Sequence, residues 1–129
     1  MAEELNKFIA AFVRREQRER YLFLLGSTKR RSDGLWGLLH DGRHLDRTKL
    51  IQIPNAINQE ALVIEQLRKL RVKELGYVLA VHGELDGQMV ELSTFLEQSG
   101  DDAAIFFPQA NAGYYKNHEG ECYVLSAAA

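Results

Sequence analysis

Leu5, Phe8, Ile9, Phe12 and Val13 recur at the i, i+3, i+4, i+7, i+8 spacing of one helix face, uninterrupted by proline or glycine. The spacing predicts a helix over about residues 3–13. The run Arg14-Arg15-Glu16-Gln17-Arg18-Glu19-Arg20 is made of good helix formers and continues or restarts it. Tyr21 to Leu25 then supplies an apolar stretch that reads as helix because its approach is helical, with Gly26-Ser27 as the stop. A third, short helix carries Leu35, Trp36, Leu38 and Leu39, with Ser32 or Asp33 as its cap. Gly34 and Gly37 weaken it, and Asp41-Gly42 marks a turn.

Beyond residue 49 the pattern changes. Leu50-Ile51-Gln52-Ile53 reads as a strand ended by Pro54-Asn55. Asn58 caps a predicted helix over 59–72, with Leu62, Val63 and Leu67 on its apolar face. Tyr77 to Val81 is apolar on both faces and therefore a central strand. Strand, helix and strand together have the length of a βαβ unit. Asp86-Gly87 is a hairpin signal with a small return strand at 88–90. Ser93 or Thr94 caps another short helix, and Ala103 to Phe107 is a buried strand stopped by Pro108. A terminal hairpin pairs Tyr114-Tyr115-Lys116 with Cys122 to Leu125 around Asn117-His118-Glu119-Gly120. The expected architecture is α+β: a mixed sheet of four or five strands with packed helices and a helical N-terminal extension.

Composition adds a boundary. Residues 1–49 carry 11 Lys and Arg against 7 Asp and Glu, whereas residues 50–129 carry 5 against 11. A helical basic part (1–49) thus precedes an α/β-patterned acidic body (50–126), and 129 residues fit a single domain. The whole-chain charge of −2 gives no general attraction to nucleic acid, so such binding would have to come from the basic part. One cysteine rules out an internal disulfide and fits a reducing compartment. Acidic residues at the start are wrong for a signal peptide, and no apolar run approaches membrane-spanning length. A soluble, cytoplasmic protein with no membrane association is expected.

Candidate chemistry is sparse. His82, Glu84 and Asp86 follow the central strand and share one face if the chain stays extended, giving a possible divalent-metal or acid–base set. A solvated turn bounded by Gly83 explains the same residues. His40 and His44 stand four apart, but Asp41-Gly42 argues against a helical zinc pair, and His40 fits the end of the Trp36 helix instead. Arg14, Arg15, Arg18 and Arg20, then Lys29, Arg30 and Arg31, form a basic set able to meet phosphates or a partner, diluted by Glu16 and Glu19. Phe106, Phe107, Tyr114, Tyr115 and Tyr123 should lie about half in the core, because adjacent strand residues face opposite ways. Cys122 reads as a small apolar strand residue. With no motif that fixes a reaction, the sequence favours a non-enzymatic interaction protein that binds itself or another macromolecule. Nucleic-acid binding through the basic helices and a small metal-dependent hydrolase are the alternatives. No cofactor can be named, and the convergence of His40, His44, His82, Glu84 and Asp86 is left open.

Overall fold

The computed structural model describes residues 2–53, 59–69 and 75–127. Three helices come first: α1 (Ala2–Phe12), α2 (Arg18–Gly26) and α3 (Arg31–Leu39), with a 3-10 turn at Arg15–Gln17 before α2. They are followed by β1 (Leu50–Ile53), α4 (Gln59–Lys69), β2 (Gly76–Ala80), β3 (Met89–Val90), α5 (Leu92–Gln98), β4 (Ala103–Phe107), β5 (Ala112–Lys116) and β6 (Cys122–Ser126). The fold is α+β, as the periodicities predict. The expected Pro54-Asn55 stop, the Asn58 cap and the end of the helix at 70–72 lie outside the described residues. Helix starts precede the predicted caps by two or three residues, with Arg30 at the head of α3 and Glu91 at the head of α5.

The sheet has six strands rather than four or five, in the order β1-β6-β5-β4-β2-β3, and each of its ladders is antiparallel rather than mixed. Four antiparallel ladders separate β1 from β2, so these two strands do run parallel, as a helical crossover requires. They are not neighbours, because β4, β5 and β6 occupy the space between them. Local pattern fixed the direction of β2 but could not reveal that the last three strands would be inserted.

Alternation along the strands divides the interior into two layers. Tyr77, Leu79, Ala104, Phe106, Tyr115, Tyr123 and Leu125 face α1, α2 and α3. Val78, Ala80, Ala103, Ile105, Phe107, Tyr114 and Val124 face the other way, with Val63 and Leu67 of α4 and Phe95 of α5. All five predicted α1 face residues are buried. Phe8, Phe12 and Phe106 meet at ring-centroid distances of 5.6–5.7 Å, edge-on or tilted, each pair adding about 0.5–1.5 kcal/mol beyond its buried area. Because both sheet faces are covered, the five aromatics expected to be half exposed are all buried. The basic helices therefore form a full layer of the structure. Among the described residues, no helix is long and apolar enough to cross a membrane.

Gly113 shows how closely the strands approach. A Cβ there would strike the Ile105 carbonyl oxygen on β4, so only glycine fits.

Candidate metal centre

The end of α3 sets the first ligand. His40 is its C-terminal cap residue, and its N–H donates to the Trp36 carbonyl at 3.1 Å. The last helical carbonyls need outside donors. The Tyr115 hydroxyl donates to the Leu39 carbonyl, and the His118 N–H donates to the His40 carbonyl at 2.9 Å. Burial raises the Tyr115 phenol well above its usual range, so it stays a donor. These two bonds fasten α3 to β5 and to the turn that follows it.

Strand register supplies the rest. Ala80 pairs with Ala103, and the next N–H, of Val81, donates to the Asp102 carbonyl at 3.1 Å. His82 is thus delivered beside Asp102. Ala103 also pairs with Lys116, which places Asp102 opposite Asn117 and next to His118. Asn117 shapes that turn, its side-chain oxygen accepting from the Glu119 and Glu121 N–H groups and its amide donating to Glu121 Oε1. Asp102 itself sits in the left-handed region (φ 58°), which aspartate tolerates better than most residues.

Three of the four histidines converge on this one carboxylate. His82 Nε2 lies 3.5 Å from Asp102 Oδ2, and His40 Nδ1 and His118 Nδ1 each lie 3.7 Å from the same oxygen. The Asp102 side chain is only 2 % exposed, yet its Oδ1 has no hydrogen-bond partner, and neither does the buried Nδ1 of His40. The donor atoms of His40, Asp102 and His118 all lie within 4.8 Å of one another, the one such group among the described residues. His82 touches the carboxylate from outside that group, with 67 % of its side chain exposed. Rings stack through the site: Trp36 on His40 at 4.5 Å, and His40 on His118 at 4.4 Å. Beside them opens a cavity of about 170 Å3 lined by His40, Asp41, Asn117, His118, Glu119 and Glu121.

Imidazole nitrogens with one carboxylate suit zinc and its transition-metal neighbours rather than magnesium or calcium, which prefer oxygen. Ligand bonds of roughly 2.0–2.2 Å in a tetrahedron imply donor–donor edges of about 3.3–3.6 Å. The Asp102 distances of 3.5–3.7 Å already approach that value.

The residues singled out from the sequence are dispersed differently. Asp86 is bound by Arg31, whose Nε and second guanidinium nitrogen lie 2.7 and 3.2 Å from its two oxygens, and it also accepts from the Ala80 N–H at 3.0 Å. Glu84 is exposed, its carbonyl accepting from the Gln88 side chain. Of His82, Glu84 and Asp86, only His82 reaches the cluster. His44 lies apart, its Nδ1 sharing a hydrogen bond of 2.5 Å with the Tyr21 hydroxyl. Burial, then the charges of Arg43 and Arg20, lower its proton affinity.

Arg31 also donates to the Leu25 carbonyl and the Tyr77 hydroxyl, so its charge is directed inward. Arg18 donates to the Val13 carbonyl, and Arg14 pairs with Glu16 at 3.1 Å. Arg14, Arg15, Lys29 and Arg30 are on the surface. The residues that sequence reasoning missed were Asp102 and the partnership of His40 with His118. A doubled aspartate at the mouth of an apolar strand was the available signal. No protein-family model, curated protein or solved structure matches the chain.

Proposed function

We propose that this protein binds one divalent transition-metal ion, with zinc the best chemical fit, through His40, Asp102 and His118. His82 acts as an adjustable fourth ligand, because it already touches the Asp102 carboxylate and its exposed side chain can turn toward the ion. One observation carries the reading. Asp102 is a buried carboxylate whose Oδ1 has no hydrogen-bond partner, while three imidazole nitrogens gather 3.5–3.7 Å from its Oδ2. A buried polar atom left unpaired costs about 1–3 kcal/mol, and more when charged, so such groups concentrate at functional sites. A cation repays that cost.

The small metal-dependent hydrolase anticipated from the sequence gains support in a new place. Three firm ligands beside an open cavity resemble catalytic rather than structural zinc centres, whose vacant position takes water or substrate. The carboxylates of Asp41, Glu119 and Glu121 give the cavity a negative potential that draws cations in.

Calorimetric titration of zinc into the chelator-stripped full chain tests the proposal. One ion per chain should bind, binding should vanish in His40→Ala and His118→Ala, and it should weaken without vanishing in His82→Ala. Absence of saturable binding, or equal binding by all variants, would overturn it.

A further inference from the structure

A second surface, separate from the metal cluster, gathers arginines from two parts of the chain. The Arg14 N–H donates to the His44 carbonyl at 2.8 Å, the Asp46 N–H donates to the Phe12 carbonyl at 2.7 Å, and Val13 and Leu45 form an isolated bridge. Leu45 is fully buried and anchors this seam. The loop holding Arg43 and Arg47 is thereby stitched to the segment holding Arg14, Arg15 and Arg20, and all five arginines are exposed.

The charges of three of them act at one place. Burial lowers the proton affinity of His44, and Arg43, Arg20 and Arg14 lower it further against the opposing charge of Asp41, so these three guanidinium groups act on the one ring that meets the Tyr21 hydroxyl. Segments 14–20 and 41–49 together carry seven Lys and Arg against four Asp and Glu. Two of those acids are already engaged: Glu16 with Arg14, and Asp46 with the Thr48 N–H and hydroxyl. Among the described residues, Arg15, Arg20, Arg43 and Arg47 have no ion-pair partner. Three residues beyond Arg20 on α2, and so on the same side of the helix, Phe23 is 67 % exposed.

We propose that Arg14, Arg15, Arg20, Arg43 and Arg47, with Phe23 beside them, bind the phosphodiester backbone of a single-stranded nucleic acid. Guanidinium forks match phosphate oxygens, and an exposed ring gives an unpaired base something to stack on. The acidic remainder of the surface orients the strand toward this patch. The site differs from the set read from the sequence. Arg31 and Arg18 are drawn away by Asp86 and the Val13 carbonyl, and Arg43 and Arg47 join Arg14, Arg15 and Arg20.

Fluorescence anisotropy of a labelled mixed-sequence 15-nucleotide single strand, titrated with the full chain, tests this. About three neutralised phosphates predict a log–log salt slope of about −2. Arg20→Glu with Arg43→Glu should weaken binding by about tenfold or more and flatten the slope. Arg43→Gln, a change at an exposed loop position, should lower the slope by about 0.7. Lys29→Glu with Arg30→Glu should leave binding unchanged. No binding at low salt, loss through the Lys29 and Arg30 pair instead, or equal affinity for the duplex would each overturn the proposal.

Discussion

Asp102→Asn separates a ligand carboxylate from a structural one. Asparagine has the same shape and also tolerates a positive φ, so the backbone at 58° is unaffected. In the metal-free chain the substitution removes a buried negative charge, and its amide N–H can donate to the unpartnered His40 Nδ1. Relieving that penalty stabilises the fold by about 1–3 kcal/mol. With an unfolding entropy of roughly 2.1 cal/mol/K per residue, 129 residues give about 0.27 kcal/mol/K, so the melting temperature should rise by about 4–11 °C. Zinc should have the opposite selectivity. At a hundredfold excess over Kd it stabilises the native chain by about 2.7 kcal/mol, or about 10 °C, and leaves Asp102→Asn unmoved. Calorimetric melts of both proteins with chelator and with zinc would show the ranking in each condition. If Asp102→Asn melts several degrees lower in chelator, or if zinc shifts both proteins equally, the carboxylate is a structural partner of the histidines and the argument fails.

Other parts of the structure can be tested in the same way. His44 has a folded-state proton affinity below its unfolded one, so on acidification through the ordinary imidazole range the unfolded chain takes up the proton first. Its stabilisation is therefore complete above that range and lost as pH falls, and His44→Gln should show a smaller drop in melting temperature between pH about 7.5 and 5.5; an equal drop would contradict this. Asp86→Ala strands the Arg31 guanidinium and the Ala80 N–H, and should cost about 2–4 kcal/mol in urea unfolding, whereas a loss under about 0.5 kcal/mol would show the pair to be idle. Gly113→Ala drives a Cβ into the Ile105 carbonyl and should cost about 3 kcal/mol, and a chain of unchanged stability would refute the close approach.

Much of the fold was legible because periodicity is local. The 3.6-residue recurrence of Leu5, Phe8, Ile9, Phe12 and Val13 gave α1, and the doubly apolar runs at 77–81 and 103–107 gave the central strands. Asp86-Gly87 marked a real turn, with Gly87 at φ 80°. What escaped was whatever depended on which strands become neighbours. The aromatics were expected to be half exposed because nothing local reveals that helices cover both faces. The candidate site escaped for the same reason. His40, His82, Asp102 and His118 come from a helix end, a strand end, a strand start and a hairpin turn, and only the β2–β4–β5 register joins them. Proximity in sequence favoured grouping His82 with Glu84 and Asp86, yet Arg31, 55 residues before Asp86, holds that carboxylate.

The central claim is that imidazoles and a carboxylate from these distant segments hold one ion. X-ray absorption at the zinc edge on the full chain, loaded with one equivalent, addresses it most directly. The account predicts nitrogen and oxygen ligands at about 2.0–2.1 Å, with outer-shell scattering from at least two imidazoles that is lost in His118→Ala. A shell of water oxygens without imidazole scattering, or a spectrum unchanged by His118→Ala, would contradict it.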